Sequence, residues 1–171
     1  MNELEWWSLD FKTGLRGQRV AVTSCGTLSR VINLASPATI KTVCSNNGKR
    51  LPGWDEATKP MRSVLVAVDP DGDRIVWGGL VRSRPGNSSA SVDVNADTLE
   101  AYFNRRYINA PLSWTDADPT QVAIDALATI TDLPPLVLRS TMTGMPVVDG
   151  FYEASDNKTI GSLLADLAGL A

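Results

Sequence analysis

The chain has 171 residues, 43% of them hydrophobic and 20% charged, and a net charge of −3 from 16 Lys and Arg against 19 Asp and Glu. That is chain enough for a proper core and a composition that disordered segments do not have. A mixed-sign, slightly acidic surface argues against binding to nucleic-acid phosphates, and the arginine pairs Arg82/Arg84 and Arg105/Arg106 read as solvated faces or ion pairs.

The N-terminal residues 1–7 are acidic and lack the apolar core of a signal peptide, and no apolar run reaches membrane-spanning length, which places synthesis and folding in a cytoplasm. Residues 4–10, with Trp6 and Trp7, read as a first strand, and Lys12-Thr13-Gly14 as the turn after it. Residues 18–24 alternate, with Val20 and Val22 on one face, as a half-buried strand does. Two further strands are expected over 27–34 and 39–44, separated by Ser36-Pro37. From 46 to 60 the pairs Asn47-Gly48, Pro52-Gly53 and Lys59-Pro60 leave room only for a long loop, of the kind that serves function or assembly. Trp54 in that loop reads as an anchor folded back on the core, the alternative being an exposed contact residue.

Residues 64–106 hold the strongest pattern. Strands over 64–68, 74–82 and 88–95 are joined by Asp69-Pro70-Asp71-Gly72-Asp73 and by Arg84-Pro85-Gly86-Asn87, both turn sequences, and a short helix over 96–103 follows. Gly78 and Gly79 interrupt the central strand, which implies either a bulge or a close approach by another backbone, a neighbouring subunit's included. Beyond Pro111, Asp118 as N-cap and Pro119 at the first helical position start a helix with Ala123, Ala126, Leu127 and Ile130 on one face. Asp132-Leu133-Pro134-Pro135 stops it; a short strand over 136–139 and an extended piece over 145–152 follow. The last helix, capped by Asp156 or Asn157, repeats Ile160, Leu163, Leu164, Leu167 and Leu170 on one face. An amphipathic helix so close to Ala171 is expected to be followed by more chain.

Catalytic chemistry finds little footing. Histidine is absent, which removes the commonest general base, metal ligand and nucleophile activator together. Cys25 and Cys44 alone do not form a zinc site and read as small, reduced, buried side chains. The Asp69–Asp73 turn is no calcium loop, because its glycine falls too early and its twelfth position is Leu80. Asp116 with Asp118, and Asp149 with Glu153 and Asp156, read as caps and turns before they read as a glycosidase pair. No nucleophile elbow or phosphate-binding loop is present. A sugar platform built from Trp6, Trp7, Trp54, Trp77 and Trp114 competes with core packing for the same indoles.

Three blocks carry a resemblance: residues 64–68 with Ile75-Val76-Trp77-Gly78-Gly79-Leu80-Val81, then Tyr102-Phe103-Asn104-Arg105-Arg106-Tyr107-Ile108, then Phe151 to Leu167 with Asp156-Asn157-Lys158-Thr159-Ile160 opening its helix. In order and spacing they resemble the N-terminal half of the minor tail proteins of long-tailed bacteriophages of actinobacteria, relatives of tail hub and baseplate hub proteins. The resemblance implies a mainly β fold with inserted helices (α+β): a small β-barrel, tube-like hub domain over 1–110, and over 111–171 the start of a second, mixed domain. It implies a structural virion protein rather than an enzyme, with no catalytic residue, cofactor or metal. It further implies a trimeric ring at the tail tip, assembled in the host cytoplasm, which closes the tail tube. Its partners would be the distal tail protein ring, the tape-measure protein and the fibre or spike proteins, with neither nucleic-acid sequence recognition nor membrane insertion. Trp54, Gly78, Gly79, Arg105 and Arg106 are the expected subunit-interface residues. The alternatives are a host-surface glycan binder and a tail-associated cell-wall hydrolase whose active site lies outside this portion.

Overall fold

The computed structural model describes residues 4–29, 31, 34–71, 74–85, 89–131 and 146–169. The chain divides into two compact units, Met1–Leu99 and Glu100–Ala171. The fold is mainly antiparallel β with a minority of helix.

The first unit is built on a seven-stranded sheet in the order β2-β1-β7-β8-β9-β4-β3. Its strands are β1 (Glu5–Asp10), β2 (Arg16–Arg19), β3 (Val22–Cys25), β4 (Pro37–Val43), β7 (Ser63–Asp69), β8 (Arg74–Ser83) and β9 (Ser91–Asp97). Between β4 and β7 lie a small hairpin, β5 (Ser45–Asn46) with β6 (Lys49–Arg50), and one helical turn, α1 (Trp54–Ala57). Alternation drives the layering: Ala38, Ile40 and Thr42 of β4 are buried while Pro37, Thr39 and Lys41 are exposed. Trp6, Leu65, Ala67, Trp77, Val81, Val92, Val94 and Ala96 join that buried face in one apolar cluster. Each fully buried branched side chain in it contributes about 1.5–3 kcal/mol. Trp6 and Trp77 meet with ring centroids 6.1 Å apart.

The expected single strand over 18–24 is two strands with a change of partner between them. Val20 N–H donates to Trp6 O on β1 (2.8 Å), whereas Ala21 O accepts from Val43 N–H at the end of β4 (2.8 Å). One continuous stretch of chain therefore forms both terminal strands of the sheet, β2 and β3. No ladder between β2 and β3 closes the sheet; their join is covalent.

The stretch 46–60 is not a featureless loop, because Asn47 and Gly48, both at positive φ, turn the β5–β6 hairpin, and Trp54 pins α1 to the core. Within 27–34 the described residues form only an isolated Val31–Leu34 bridge. The helix expected over 96–103 is confined to α2 (Glu100–Phe103), since Ala96 and Asp97 pair with β4 and β8. Cys44 is buried and free as expected, but Cys25 is exposed on the terminal strand β3.

The second unit contains α2, β10 (Leu112–Ala117), α3 (Pro119–Ala128), β11 (Val148–Tyr152), a short 3-10 turn (Ala154–Asp156) and α4 (Ile160–Ala168). Its beginning at Glu100, before the expected boundary at Ala110, follows from hydrogen bonding. Ile108 N–H donates to Lys158 O (2.9 Å) and Ile160 N–H to Arg106 O (2.7 Å), so residues 106–108 are tied to the start of α4. Asp118 caps α3 by accepting from Thr120 N–H (2.7 Å) and Gln121 N–H (3.4 Å). The cap of α4 is Thr159, which accepts from Ser162 N–H (3.1 Å), while Asp156 serves the preceding turn by accepting from Glu153 N–H (2.7 Å). Val122, Ala126 and Leu127 of α3 pack with Ile108 and with Ile160, Leu163 and Leu167 of α4, and Trp114 and Tyr152 from the β10–β11 ribbon close against them. The strand expected over 136–139 lies outside the described residues.

Candidate functional site

Trp54 is 2% exposed, so its place is the core. Gly53, at φ 73°, turns the chain into α1. The indole then points inward, and its Nε1–H donates to Thr42 Oγ1 (3.1 Å), whose own hydroxyl donates to Val92 O (3.2 Å). The Arg50 and Arg84 guanidinium groups lie over the ring, with Cζ at 4.3 and 4.8 Å from its centroid. Asp55 joins both: Arg50 meets it with two N–H groups (3.1 and 3.3 Å) and Arg84 with one (2.9 Å). Hydrogen bonds from Arg50 first, opposed by desolvation and helped by Arg84, hold the Asp55 carboxyl below its ordinary range. The cluster fastens α1 over the buried face of the sheet.

Gly79 is explained from within the unit. A β-carbon there would stand 2.3 Å from Trp77 Cη2 and 3.0 Å from Asp97 O, so the Trp77 indole lies across the space that a side chain would need. Gly78 is under no such pressure, its nearest neighbour being Val66 Cγ1 at 3.4 Å. The ladder between β7 and β8 shifts register at Val76, while Gly78 and Gly79 pair regularly with Val66 and Leu65, so the bulge lies before the glycines and not at them.

Arg105 and Arg106 belong to the second unit, after α2. Arg105 is exposed. Arg106 stacks on Tyr102 (4.4 Å from Cζ to the ring centroid), and its Nε is buried without an acceptor. Together with Tyr107, Asn109, Thr129 and Thr131 they border a cleft of about 300 Å³.

The carboxylates considered for hydrolysis are engaged locally. Asp149 accepts from Asp116 N–H (2.8 Å), which holds the bulge in β10 where Asp116 takes φ 49°. Asp118 and Asp156 are caps, and Asp69 accepts from Asp71 N–H (3.1 Å) across the β7–β8 turn. Among the described residues no group of three or more Cys, Asp or Glu is placed to hold a metal ion.

Open edges in the sheet were not anticipated at these places. β9 pairs with β8 only at Leu80, Val81 and Ser83, because Thr98 leaves the sheet and exchanges hydrogen bonds with Ser36 (3.1 and 3.0 Å). Among the described residues nothing pairs with 74–79 of β8 on that side, and Ile75 and Val76 stand 59% and 43% exposed there. The second is β2, exposed along its whole length and paired, among the described residues, only with β1, as β3 at the other end of the sheet is only with β4. Beside it runs a groove of about 390 Å³ bordered by Leu9, Leu15, Arg16, Gln18, Ala57 and Arg62. The apolar run Ile75-Val76-Trp77, where strict alternation should have inserted a polar residue, was the available signal for the first edge. Nothing local marks the second.

No family model matches the chain, and no curated protein matches it.

Proposed function

We propose that the protein is a structural subunit of a virion, a tail-tip hub that assembles as a trimeric ring and closes the tail tube. The observation that carries this reading is the covalent join of the two terminal strands. A sheet whose first and last strands are separated only by Val20 and Ala21 is rolled until its ends approach, and we read it as a small barrel of six staves, with β2 and β3 sharing one. A small barrel followed by a mixed helical unit is the arrangement implied by the resemblance to minor tail proteins. The unprotected strand edges supply what a ring subunit needs, since an unpaired edge recruits another strand. In this reading the ring contacts the distal tail protein ring above, the tape-measure protein within, and the fibre or spike proteins below.

Burial of Trp6, Trp54 and Trp77, each less than a tenth exposed, favours the structural reading over the glycan-binding alternative, which keeps only the half-buried Trp7 and Trp114 of its five indoles. Antibodies raised against the chain should label the tail tip of purified particles of the virus that encodes it. Labelling confined to the capsid, or restricted to unassembled protein in the infected cell, would refute the proposal.

A further inference from the structure

We propose that Asn47 is a site of spontaneous modification, losing its amide to give aspartate and isoaspartate, and that the isoaspartate product releases the β5–β6 hairpin from α1. The chain holds one Asn-Gly pair, Asn47-Gly48. A glycine after asparagine leaves its backbone nitrogen without the β-carbon that shields it in any other pair. Both residues are exposed at the tip of the hairpin, and a β-carbon built at Gly48 would have no neighbour within 4 Å. Neither the Asn47 amide nor the Gly48 N–H enters a hydrogen bond among the described residues. The Asn157 amide, by contrast, is also at positive φ but donates to Ser155 O (3.2 Å) and is followed by Lys158. Two residue pairs, Ser45–Arg50 and Asn46–Lys49, and the Leu51 N–H bond to Cys44 O (2.9 Å) hold the hairpin shut. So short a ladder opens readily, which lets the turn reach the reactive geometry.

The step needs only water. The Gly48 nitrogen attacks Asn47 Cγ and forms a succinimide ring. The bond from Cγ to the amide nitrogen breaks, and that nitrogen departs as ammonia with the proton that Gly48 gives up. Water then opens the ring at one of its two carbonyls. Opening at Cγ leaves aspartate on the original backbone; opening at the main-chain carbonyl leaves isoaspartate, whose backbone runs through the side chain and is one carbon longer. The length of a two-residue turn with both φ values positive sets the register of its strands. Aspartate preserves that length and isoaspartate does not, so Arg50 loses its place opposite Ser45. Arg50 lies over Trp54 (4.3 Å) and meets Asp55 with two N–H groups, which carries the change to α1. Arg84 stays on Asp55 as the second guanidinium, so α1 loosens without leaving the core. This chemistry is independent of the hub assembly.

The test ages the full chain at mildly alkaline pH and maps its peptides by mass spectrometry, with fragmentation that separates aspartate from isoaspartate. Asn47 should convert about tenfold faster or more than any other asparagine, Asn87 before Ser88 included. Hydrogen exchange then follows the Ala57 and Thr58 amides, which donate to Gly53 O and Trp54 O. Their protection should fall about tenfold in the isoaspartate form. It should hold in fresh Asn47→Asp, which gains the charge without the extra carbon, and in aged Asn47→Gly, which keeps the turn and has no amide to lose. An Asn47 that stays intact, or conversion led by another asparagine, would overturn the site. Aspartate as the only product, isoaspartate with both amides still protected, or an equal loss in aged Asn47→Gly would overturn the link to α1.

Discussion

Removing the Trp54 indole should destabilise the first unit more than any other single truncation of an aromatic outside the strands. The side chain is 2% exposed. An aromatic of this size buries about 200 Å², worth about 5 kcal/mol at about 25 cal/mol per Å². The alanine that replaces it keeps a small part of that, and the sheet relaxes only partly around the void, which places Trp54→Ala at about 3–5 kcal/mol. The two arginine stacks add about 0.5–1 kcal/mol each at most, since Asp55 keeps both guanidinium groups on the surface after the ring is gone. Trp54→Phe separates the contributions. It retains most of the apolar volume and loses the Nε1–H bond to Thr42, whose hydroxyl stays satisfied by Val92 O, so the cost falls to about 1 kcal/mol plus a modest repacking term. Hydrogen exchange reports on each unit separately. In Trp54→Ala, protection of the β4 and β7 amides should fall by about a hundredfold to several thousandfold, while the amides of α3 and α4 keep theirs. A fall of less than about tenfold in β4 would refute the anchor assignment and return Trp54 to the surface.

Gly79→Ala should cost about 1–3 kcal/mol, because the new methyl collides with Trp77 and Asp97 O, whereas Gly78→Ala should stay within about 1 kcal/mol of wild type; equal urea midpoints for the two would contradict the geometry. Asp118→Ala removes the acceptor for two α3 amides and should lower the stability of the second unit by about 1 kcal/mol, with Asp118→Asn recovering most of it. Hydrogen bonds from Thr13, its backbone N–H first, hold the Asp10 carboxyl below its ordinary value of 3.8, with Arg62 adding to them. A carboxyl depressed by folding stabilises above the unfolded value and loses that contribution as the pH falls through the folded one. The stability difference between wild type and Asp10→Asn should therefore be constant above about pH 5 and shrink toward about pH 2, and a difference unchanged over that range would exclude the assignment.

Much of this architecture was legible where the signal is local. Residues 64–82 hold two apolar β-type runs around an Asp-Pro-Asp-Gly turn and form β7 and β8. Asp118-Pro119 opens α3, and the Ile160, Leu163, Leu167 repeat forms the buried stripe of α4. What stayed hidden depends on distant partners. Alternation across 18–24 is unbroken where the chain changes partner from β1 to β4, because side-chain period records which face is buried and carries no record of which strand lies alongside. Ala96 and Asp97 have no strand preference, yet β4 on one side and β8 on the other hold them in the sheet. β10 escaped notice because its bulge at Asp116 breaks the period after only a few residues. The open edge of β8 had only the apolar run at 75–77 to mark it, because it arises where Thr98 turns toward Ser36, 62 residues away in sequence. Of the expected interface residues, Trp54 and Gly79 are accounted for by packing within the first unit, and the edge residues Ile75 and Val76 stand exposed in their place.

Native mass spectrometry of the full chain over a range of concentrations tests the ring most directly. A hub subunit gives a trimer of three times the chain mass. A monomer that persists at the highest concentration, or a simple twofold dimer, would contradict the account.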